Sequence, residues 1–185
     1  GKLIGQITSP ATKNITLRLQ EFRKYGDNTF RLAFSRELVS GKIKNCLQVI
    51  RHFSYNHPDI SFEAELIALK TRLTNVKSAA QIEQLFGLEG SAANEYFGAF
   101  GKMLLSEFSF PGRKKHRSTD PVNALLSLTY TMIFNEISSL LDGLGFDPYL
   151  GYYHSIDYGR ASLASDLMEE FRAPIGDRLT LNLIN

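Results

Sequence analysis

The sequence lacks several features that would assign it to a familiar class of protein. It has a single cysteine, Cys46, so no disulfide can form within the chain and nothing requires an oxidising compartment. No apolar run reaches the roughly 18–20 residues that a membrane helix needs, and no signal-peptide pattern opens the chain. These absences predict a cytoplasmic protein that has no membrane partner.

Several common active-site motifs are also missing. The chain has no glycine-rich phosphate loop, no pair of cysteines at zinc-binding spacing and no G-x-S-x-G nucleophile turn. A helical di-iron site is disfavoured because such sites use Glu-x-x-His pairs, and no histidine here has a glutamate three residues before it. The candidates for chemistry are therefore carboxylates and histidines.

A strong excess of charge is missing as well, since the net charge is only +2. That value is too small to indicate a nucleic-acid partner by itself. Positive charge is nevertheless concentrated in one loop, opened by Pro111–Gly112, which we call the basic loop. Its cations are Arg113, Lys114, Lys115 and Arg117. Charge alone leaves two interpretations open, a solvated linker and a segment that contacts phosphates.

What the sequence does contain is helical periodicity. Apolar residues at three- and four-residue spacing predict helices over about 16–25, 30–50, 60–73, 78–86, 88–100, 121–142 and 162–171. Asp120 suits an N-cap and Pro121 the first helical position, and Ser162 is a second candidate cap. The segment 175–185 fits either a strand or a helix. We predict an all-α domain over residues 13–185, preceded at 1–12 by a linker or the remnant of a β domain that includes a short strand.

Three elements carry candidate metal ligands. His154 lies in an apolar and aromatic loop, and the helix after it carries Asp166 and Glu169. Helical geometry places Glu169 nearly opposite the apolar face of that helix, with Asp166 on the same flank, so the two carboxylates could address one point. Glu89 is expected near the start of its own helix, where carboxylates favour the positive end of the dipole.

Each of these residues also has an ordinary structural explanation. A lone histidine in an apolar loop is more often packed or capping than a ligand, and acidic helix residues usually form a solvated edge. Taken together, two carboxylates and one imidazole from three elements form a reasonable ligand set for Mn²⁺ or Mg²⁺, with positions left for water and phosphate.

Several longer motifs resemble one known family. Leu88–Glu89–Gly90–Ser91–Ala92–Ala93, followed by Tyr96–Phe97, is similar to the glutamate motif of the CRISPR-associated spacer integrase (the Cas-one family). The chain also resembles that family's later blocks in the right order. These are Asp120 to Ser127, Gly151 to His154, Gly159 to Leu163, and Asp166 to Arg172. The resemblance runs from about Arg36 to the C-terminus.

The resemblance implies a divalent-metal site in which Glu89, His154 and Glu169 are ligands and Asp166 supports them or binds directly. It further implies that Tyr96 and the basic loop contact double-stranded or branched DNA. One departure is Asn94, where the family often has an arginine, and this puts one DNA contact in doubt. The family's N-terminal β-rich domain is not recognisable, which agrees with the expectation that the chain is a piece of a longer protein.

The implied chemistry is a phosphodiester transfer that inserts new spacers into a CRISPR array, or DNA cleavage when water replaces the attacking 3′-hydroxyl. The implied partners are a second copy of the full-length protein and the small companion adaptation protein (the Cas-two family). The alternative is a catalytically silent helical domain that binds DNA or protein, in which Glu89 and Glu169 are surface carboxylates.

Overall fold

The computed structural model describes residues 14–114 and 120–185, and over these ranges the chain forms helices and no strand. In chain order they are α1 (Ile15–Tyr25), α2 (Asn28–Asn56), α3 (Glu63–Ser78), α4 (Ile82–Lys102), α5 (Pro121–Leu144), α6 (Ser162–Phe171), a π-helical segment (Arg172–Asp177) and α7 (Arg178–Ile184). The predicted all-α class is confirmed. The linker or strand expected at 1–12 lies outside the described residues, as do Lys115 and Arg117 of the basic loop.

Short-range signals set several of the helix ends. The Asp27 side chain accepts a hydrogen bond from the amide of Phe30 and caps α2, and Asp120 caps α5 through the amide of Asn123. α5 ends at Gly145, whose φ of 95° is a left-handed conformation that glycine adopts without strain. These three boundaries agree with the breaks that the sequence predicts.

Three local predictions are wrong. The two helices expected over 78–86 and 88–100 are one helix, α4, because the buried Leu85 and Ala92 hold its two halves against the same core. Glu89 therefore lies well inside α4, and the positive end of a helix dipole does not account for a carboxylate at this position. Ala161, rather than Ser162, occupies the N-cap of α6, since the Ser162 hydroxyl donates instead to the Ser155 carbonyl. The helix predicted over 162–171 has the bounds of α6, but the helical run continues past Pro174 through the π-helical segment into α7, so the ambiguous segment 175–185 is helical up to Ile184.

The long helix α2 is the element around which the domain is built. It packs against α1, α3, α4, α6 and the π-helical segment. Its inward face is largely aliphatic, with Leu38, Val39, Ile43, Leu47 and Ile50 all buried. Burying such side chains stabilises the fold by roughly 1.5–3 kcal/mol each relative to exposure, so α2 fixes the positions of the helices on both sides of it.

Helix α5 carries apolar residues on its exposed side as well as on its buried side. Val122, Leu126 and Tyr130 pack inward, whereas Met132 and Leu140 are 62% and 56% exposed. By length and composition alone α5 could cross a membrane, although the core helices of soluble proteins pass the same test. In this fold α5 contacts α6, the π-helical segment and α7.

Candidate metal centre

Two carboxylates from different helices meet at one buried cation. Lys42, on α2, extends its ammonium between Glu89 of α4 and Glu169 of α6. The Lys42 Nζ lies 2.6 Å from Glu169 Oε2 and forms a second, very short contact with Glu89 Oε1. The side chains of Lys42 and Glu169 are only 12% and 4% exposed, so little water screens the interaction.

Attraction between opposite charges sets the direction in which the pKa values of Lys42 and Glu169 move. Burial acts to lower the pKa of Lys42, but Glu169 and Glu89 outweigh it and raise that pKa above its ordinary value. Burial likewise acts to raise the pKa of Glu169, but Lys42 and then Arg172 outweigh it and lower that pKa. Arg172 Nη1 lies 3.3 Å from Glu169 Oε1, so each oxygen of Glu169 faces a cation. Glu169 is therefore ionised at neutral pH.

His154 is fixed by Asp166, which is fully buried on α6. Asp166 Oδ1 lies 2.7 Å from His154 Nδ1 and also accepts the backbone N–H of His154. Because an ionised carboxylate can only accept, this contact places the imidazole proton on Nδ1 and leaves the lone pair on Nε2. Carboxylate support of this kind is typical of histidines that bind metals through the other nitrogen.

The same carboxylate also shapes the loop that carries His154. Asp166 Oδ2 accepts the backbone N–H groups of Tyr152 and Tyr153 at 2.7 and 3.0 Å. The loop passes so close to α6 that a Cβ on Gly151 would lie 2.6 Å from the Cβ of Ser162, so only glycine fits there. One buried side chain therefore orients the imidazole and closes the turn behind it.

Helix α6 is buried on more of its surface than the helical-wheel prediction gives. Leu163 on the apolar face is 4% exposed, but Asp166 and Glu169 are buried as well, and Phe171 is 42% exposed. The two carboxylates do not address one point, because Asp166 turns to the His154 loop and Glu169 to Lys42. The idea of a solvated acidic edge is wrong for the same reason. Both oxygens of Asp166 accept hydrogen bonds from the loop that carries His154, which favours a supporting role over direct ligation.

Sequence reasoning missed Lys42, although a signal was present. On α2 it lies four residues after Leu38 and four before Cys46, both of which are buried. Residues at that spacing share one face of a helix. A lysine inside an apolar stripe needs a charged partner elsewhere in the fold, because an isolated buried ammonium is very costly.

The donor set of this centre suits a divalent ion, but the ligands are not gathered around a common point. Among residues 14–114 and 120–185, no three His, Cys, Asp or Glu side chains lie close enough together to hold a metal. Glu89 and Glu169 do converge, on the Lys42 ammonium, and Glu169 Oε2 is buried with no hydrogen-bond partner of good geometry. Two carboxylates and an oriented imidazole are the donors that Mn²⁺ and Mg²⁺ accept.

A second buried network connects the centre to the basic loop. The ring of Tyr130, on α5, lies between the guanidinium groups of Arg113 and Arg172, at 5.2 and 5.0 Å from its centroid. Its hydroxyl donates to Asp177, which is 1% exposed. Since Arg172 also contacts Glu169, one continuous set of side chains runs from the loop to the carboxylate.

The described part of the basic loop is held in place by Asn123, which sequence reasoning did not single out. The Asn123 side chain is fully buried and accepts from Arg113 Nη1 and from the amide of Lys114, both at 2.9 Å. It also donates to the Gly112 carbonyl. Arg113 is thus partly committed to holding the loop, whereas the Lys114 side chain is exposed.

Tyr96 does not lie where a DNA contact requires it. Its side chain is 2% exposed and packs against Phe97 and Phe100 in the core. Aromatic residues at helical spacing on α4 serve the packing of α2 against α4, and Tyr96 belongs to that set. The expectation that Tyr96 contacts DNA is corrected to a packing role.

Comparison with known proteins assigns a family. The family described as "CRISPR associated protein Cas1" matches residues 1–185, which is the whole chain. The chain belongs to the Cas1 family. The Cas1 chain is 40% identical over 185 residues to the CRISPR-associated endonuclease Cas1 3 of Thermus thermophilus, covering 100% of this chain and 53% of that protein. It is 35% identical over 176 residues to a Cas1 endonuclease of Leptospira interrogans, covering 91% and 69%.

Solved structures agree with this assignment. A casposase bound to an integration product superposes with a TM-score of 0.86 at 26% identity, covering all of the Cas1 chain and 51% of that protein. A chain of a Cas6-RT-Cas1–Cas2 complex superposes with a TM-score of 0.86 at 31% identity, covering all of this chain and 20% of that one. The Cas1 chain thus spans about half the length of the Thermus thermophilus relative and about two thirds of the Leptospira interrogans one.

The buried carboxylate of Asp177 makes the stability of the Cas1 domain depend on pH. Burial raises the pKa of Asp177 to about 6, against partial opposition from the Tyr130 and Tyr96 hydroxyls. The folded state thus holds this proton more tightly than the unfolded state. The resulting stabilisation is complete below about pH 4 and disappears as the pH rises through about 6.

Asp177→Asn removes this titration and is expected to become relatively more stable as the pH rises. Between pH 4 and pH 7 its free energy of unfolding should gain about 2 kcal/mol relative to wild type, at 1.36 kcal/mol for each unit of pKa shift. Urea unfolding at several pH values measures the difference. A wild-type-minus-variant difference that is constant over this range would show that Asp177 does not titrate there.

Proposed function

We propose that this chain carries the catalytic centre of a CRISPR adaptation integrase. The reaction is a DNA phosphodiester transfer, dependent on Mn²⁺ or Mg²⁺, that inserts new spacers into a CRISPR array. The observation that supports it most is the convergence of Glu89 and Glu169, from separate helices, on one buried cation within a Cas1 fold. A buried carboxylate (Glu169) and a partly buried one (Glu89) held at one point are costly for a structural domain to keep, and they are what a divalent-metal site needs.

The residues divide into ligands and supports. Glu89 and Glu169 supply carboxylate oxygens, His154 supplies Nε2, and Asp166 holds the His154 ring in the tautomer that leaves Nε2 free. When bound, a divalent ion would neutralise charge on the phosphate oxygens and lower the pKa of the attacking hydroxyl. Arg172, beside Glu169, adds a fixed positive charge at the same place.

The transfer itself needs no covalent bond to the protein. The 3′-hydroxyl oxygen of the incoming DNA forms a new bond to a phosphorus at the repeat boundary, and the existing 3′-oxygen leaves with a proton. When water attacks instead, the same centre acts as an endonuclease, and attack in reverse gives disintegration. The residues of the centre position the reacting groups and help to neutralise the charge on the phosphate. These two effects account for most of the catalysis of phosphoryl transfer.

We further propose that the basic loop holds the DNA backbone. Lys114 is exposed and its backbone is fixed by Asn123. Lys115 and Arg117 extend the same run of positive charge, whereas Arg113 mainly positions the loop. Contacts of this kind bind any sequence and weaken as salt is raised.

The proposed partners follow from the family rather than from this chain. One of the similar solved structures is a Cas6-RT-Cas1–Cas2 complex, and we propose a Cas2-type companion protein here as well. A homodimer of the full-length protein, double-stranded and branched DNA as substrates, and a cytoplasmic location in a prokaryote complete the proposal.

The test is metal-dependent strand transfer or cleavage on a branched DNA substrate. Products should form with Mn²⁺ and should disappear when EDTA removes the ion. DNA binding with no product at any Mn²⁺ concentration would instead support a catalytically silent DNA-binding domain. That alternative also has an observation in its favour, because the described residues do not already gather three metal ligands.

A further inference from the structure

Lys42 occupies the place between the two carboxylates where a divalent ion would have to bind. Its ammonium contacts Glu89 Oε1 and lies 2.6 Å from Glu169 Oε2, so it is shared by two of the three proposed ligands. The remaining oxygen of Glu169 faces Arg172 at 3.3 Å. Neither oxygen of Glu169 is therefore open to a metal unless a protein cation moves.

Of these two cations, Lys42 is the one that must yield. Of the two carboxylates, Arg172 pairs with Glu169 and not with Glu89, and its guanidinium is held over the Tyr130 ring. Moving Arg172 would therefore free an oxygen of only one proposed ligand. Lys42 touches both carboxylates. Its flexible four-carbon chain can withdraw the ammonium without moving the backbone of α2. Oxygen–metal distances of about 2.0–2.1 Å for Mg²⁺ would put the ion where the ammonium lies.

We infer that Lys42 is an internal counter-ion that holds the centre together without metal and competes with the metal for Glu89 and Glu169. This inference rests on the proposed metal-dependent function. In the absence of metal, Lys42 compensates the buried charge of Glu169 and the partly buried charge of Glu89, and so holds α2, α4 and α6 together. When a divalent ion binds, it takes over both carboxylates and releases the ammonium into the centre. Lys42 therefore sets how much free metal is needed to load the site.

The inference predicts opposite effects of one substitution on stability and on metal binding. Lys42→Met keeps the length of the side chain but removes its charge. Without metal, the melting temperature of this variant should fall by about 10 °C, because the buried Glu169 and the partly buried Glu89 lose the cation that they share. Its affinity for Mn²⁺ should rise by about tenfold or more, because no cation has to be displaced. Added Mn²⁺ should then raise its melting temperature more than that of wild type.

The experiment uses the whole chain, with Mn²⁺ as the probe. Free Mn²⁺ is measured by electron paramagnetic resonance during a titration, and melting is measured in EDTA and in Mn²⁺. Lys44→Met is the matched control, since Lys44 lies on the same helix but is exposed, and it should behave as wild type. Lys42→Arg, which keeps the charge, should stay close to wild type in metal-free stability.

The outcomes separate this inference from the proposed function. If wild type binds Mn²⁺ and Lys42→Met binds it equally or more weakly, Lys42 does not compete and the inference is overturned while the metal site stands. If neither protein binds Mn²⁺, both proposals fail. If only Lys42→Met binds Mn²⁺, competition is strongly supported.

A second variant keeps the test decisive if Lys42→Met folds poorly. The inferred cause of its instability is uncompensated negative charge, so adding Glu169→Gln should recover part of the lost melting temperature in EDTA. A double variant that is no more stable than Lys42→Met would contradict the counter-ion role.

Discussion

His154→Ala and Glu169→Gln are each expected to reduce Mn²⁺-dependent strand transfer by about 100- to 1000-fold, the loss typical of removing one group that stabilises charge in a transition state. Glu169 supplies the buried carboxylate at the centre, and His154 supplies the oriented nitrogen. Both variants should also bind Mn²⁺ more weakly. Their rates are measured on the branched DNA substrate at saturating Mn²⁺.

The chain offers close controls for both substitutions. Glu170 follows Glu169 directly but is exposed, and His52 is an exposed histidine on α2. Glu170→Gln and His52→Ala should retain wild-type activity. If the ligand variants were as active as these controls, the three-residue centre would not be the site of the reaction.

Asp166→Ala is expected to damage folding and metal binding together. The lost carboxylate accepts three backbone N–H groups and the His154 ring. Each buried donor left unpaired costs about 1–3 kcal/mol, so we expect the free energy of unfolding to fall by about 4 kcal/mol. In the molecules that remain folded, the freely rotating imidazole should weaken Mn²⁺ binding by about 10- to 100-fold.

Asp157→Ala is the matched control, because Asp157 is an exposed aspartate in the same stretch between His154 and α6. Chemical unfolding measures stability, and a Mn²⁺ titration below the unfolding transition measures binding. An Asp166→Ala protein with full stability but no Mn²⁺ binding would point to direct ligation by Asp166. An Asp166→Ala protein with full stability and normal Mn²⁺ binding would contradict a supporting role for Asp166.

Features that depend on near neighbours in the sequence were predictable. The Asp120 cap, the break at Gly26–Asp27 and the glycine end of α5 each rest on contacts within a few residues. The all-α class follows from the same periodicity. Longer motifs allowed the resemblance to a family, and that family is now shown for the whole chain. Glu89, His154 and Glu169 came from that resemblance.

Features that depend on distant partners were not predictable from local patterns. The helical wheel of α6 placed Glu169 on the outer side of the helix, because it could not include Lys42 on another helix. In the sequence, nothing distinguishes Asn123 from other residues of its helix. Its role depends on hydrogen bonds to Arg113 and Gly112 of the basic loop, which form only in the folded domain. A polar side chain is buried where it finds partners, and those partners can lie anywhere in the chain.

The wide spacing of the charged cluster along the sequence has a consequence for synthesis. Lys42, Glu89 and Glu169 belong to the second, fourth and sixth helices, and the Asp166 that orients His154 also lies on the sixth. A ribosome-bound chain that has not yet released α6 lacks both Glu169 and the support of the imidazole. The emerging polypeptide therefore lacks the assembled charged cluster, and the proposed centre can form only after nearly all of this domain has been made and folded.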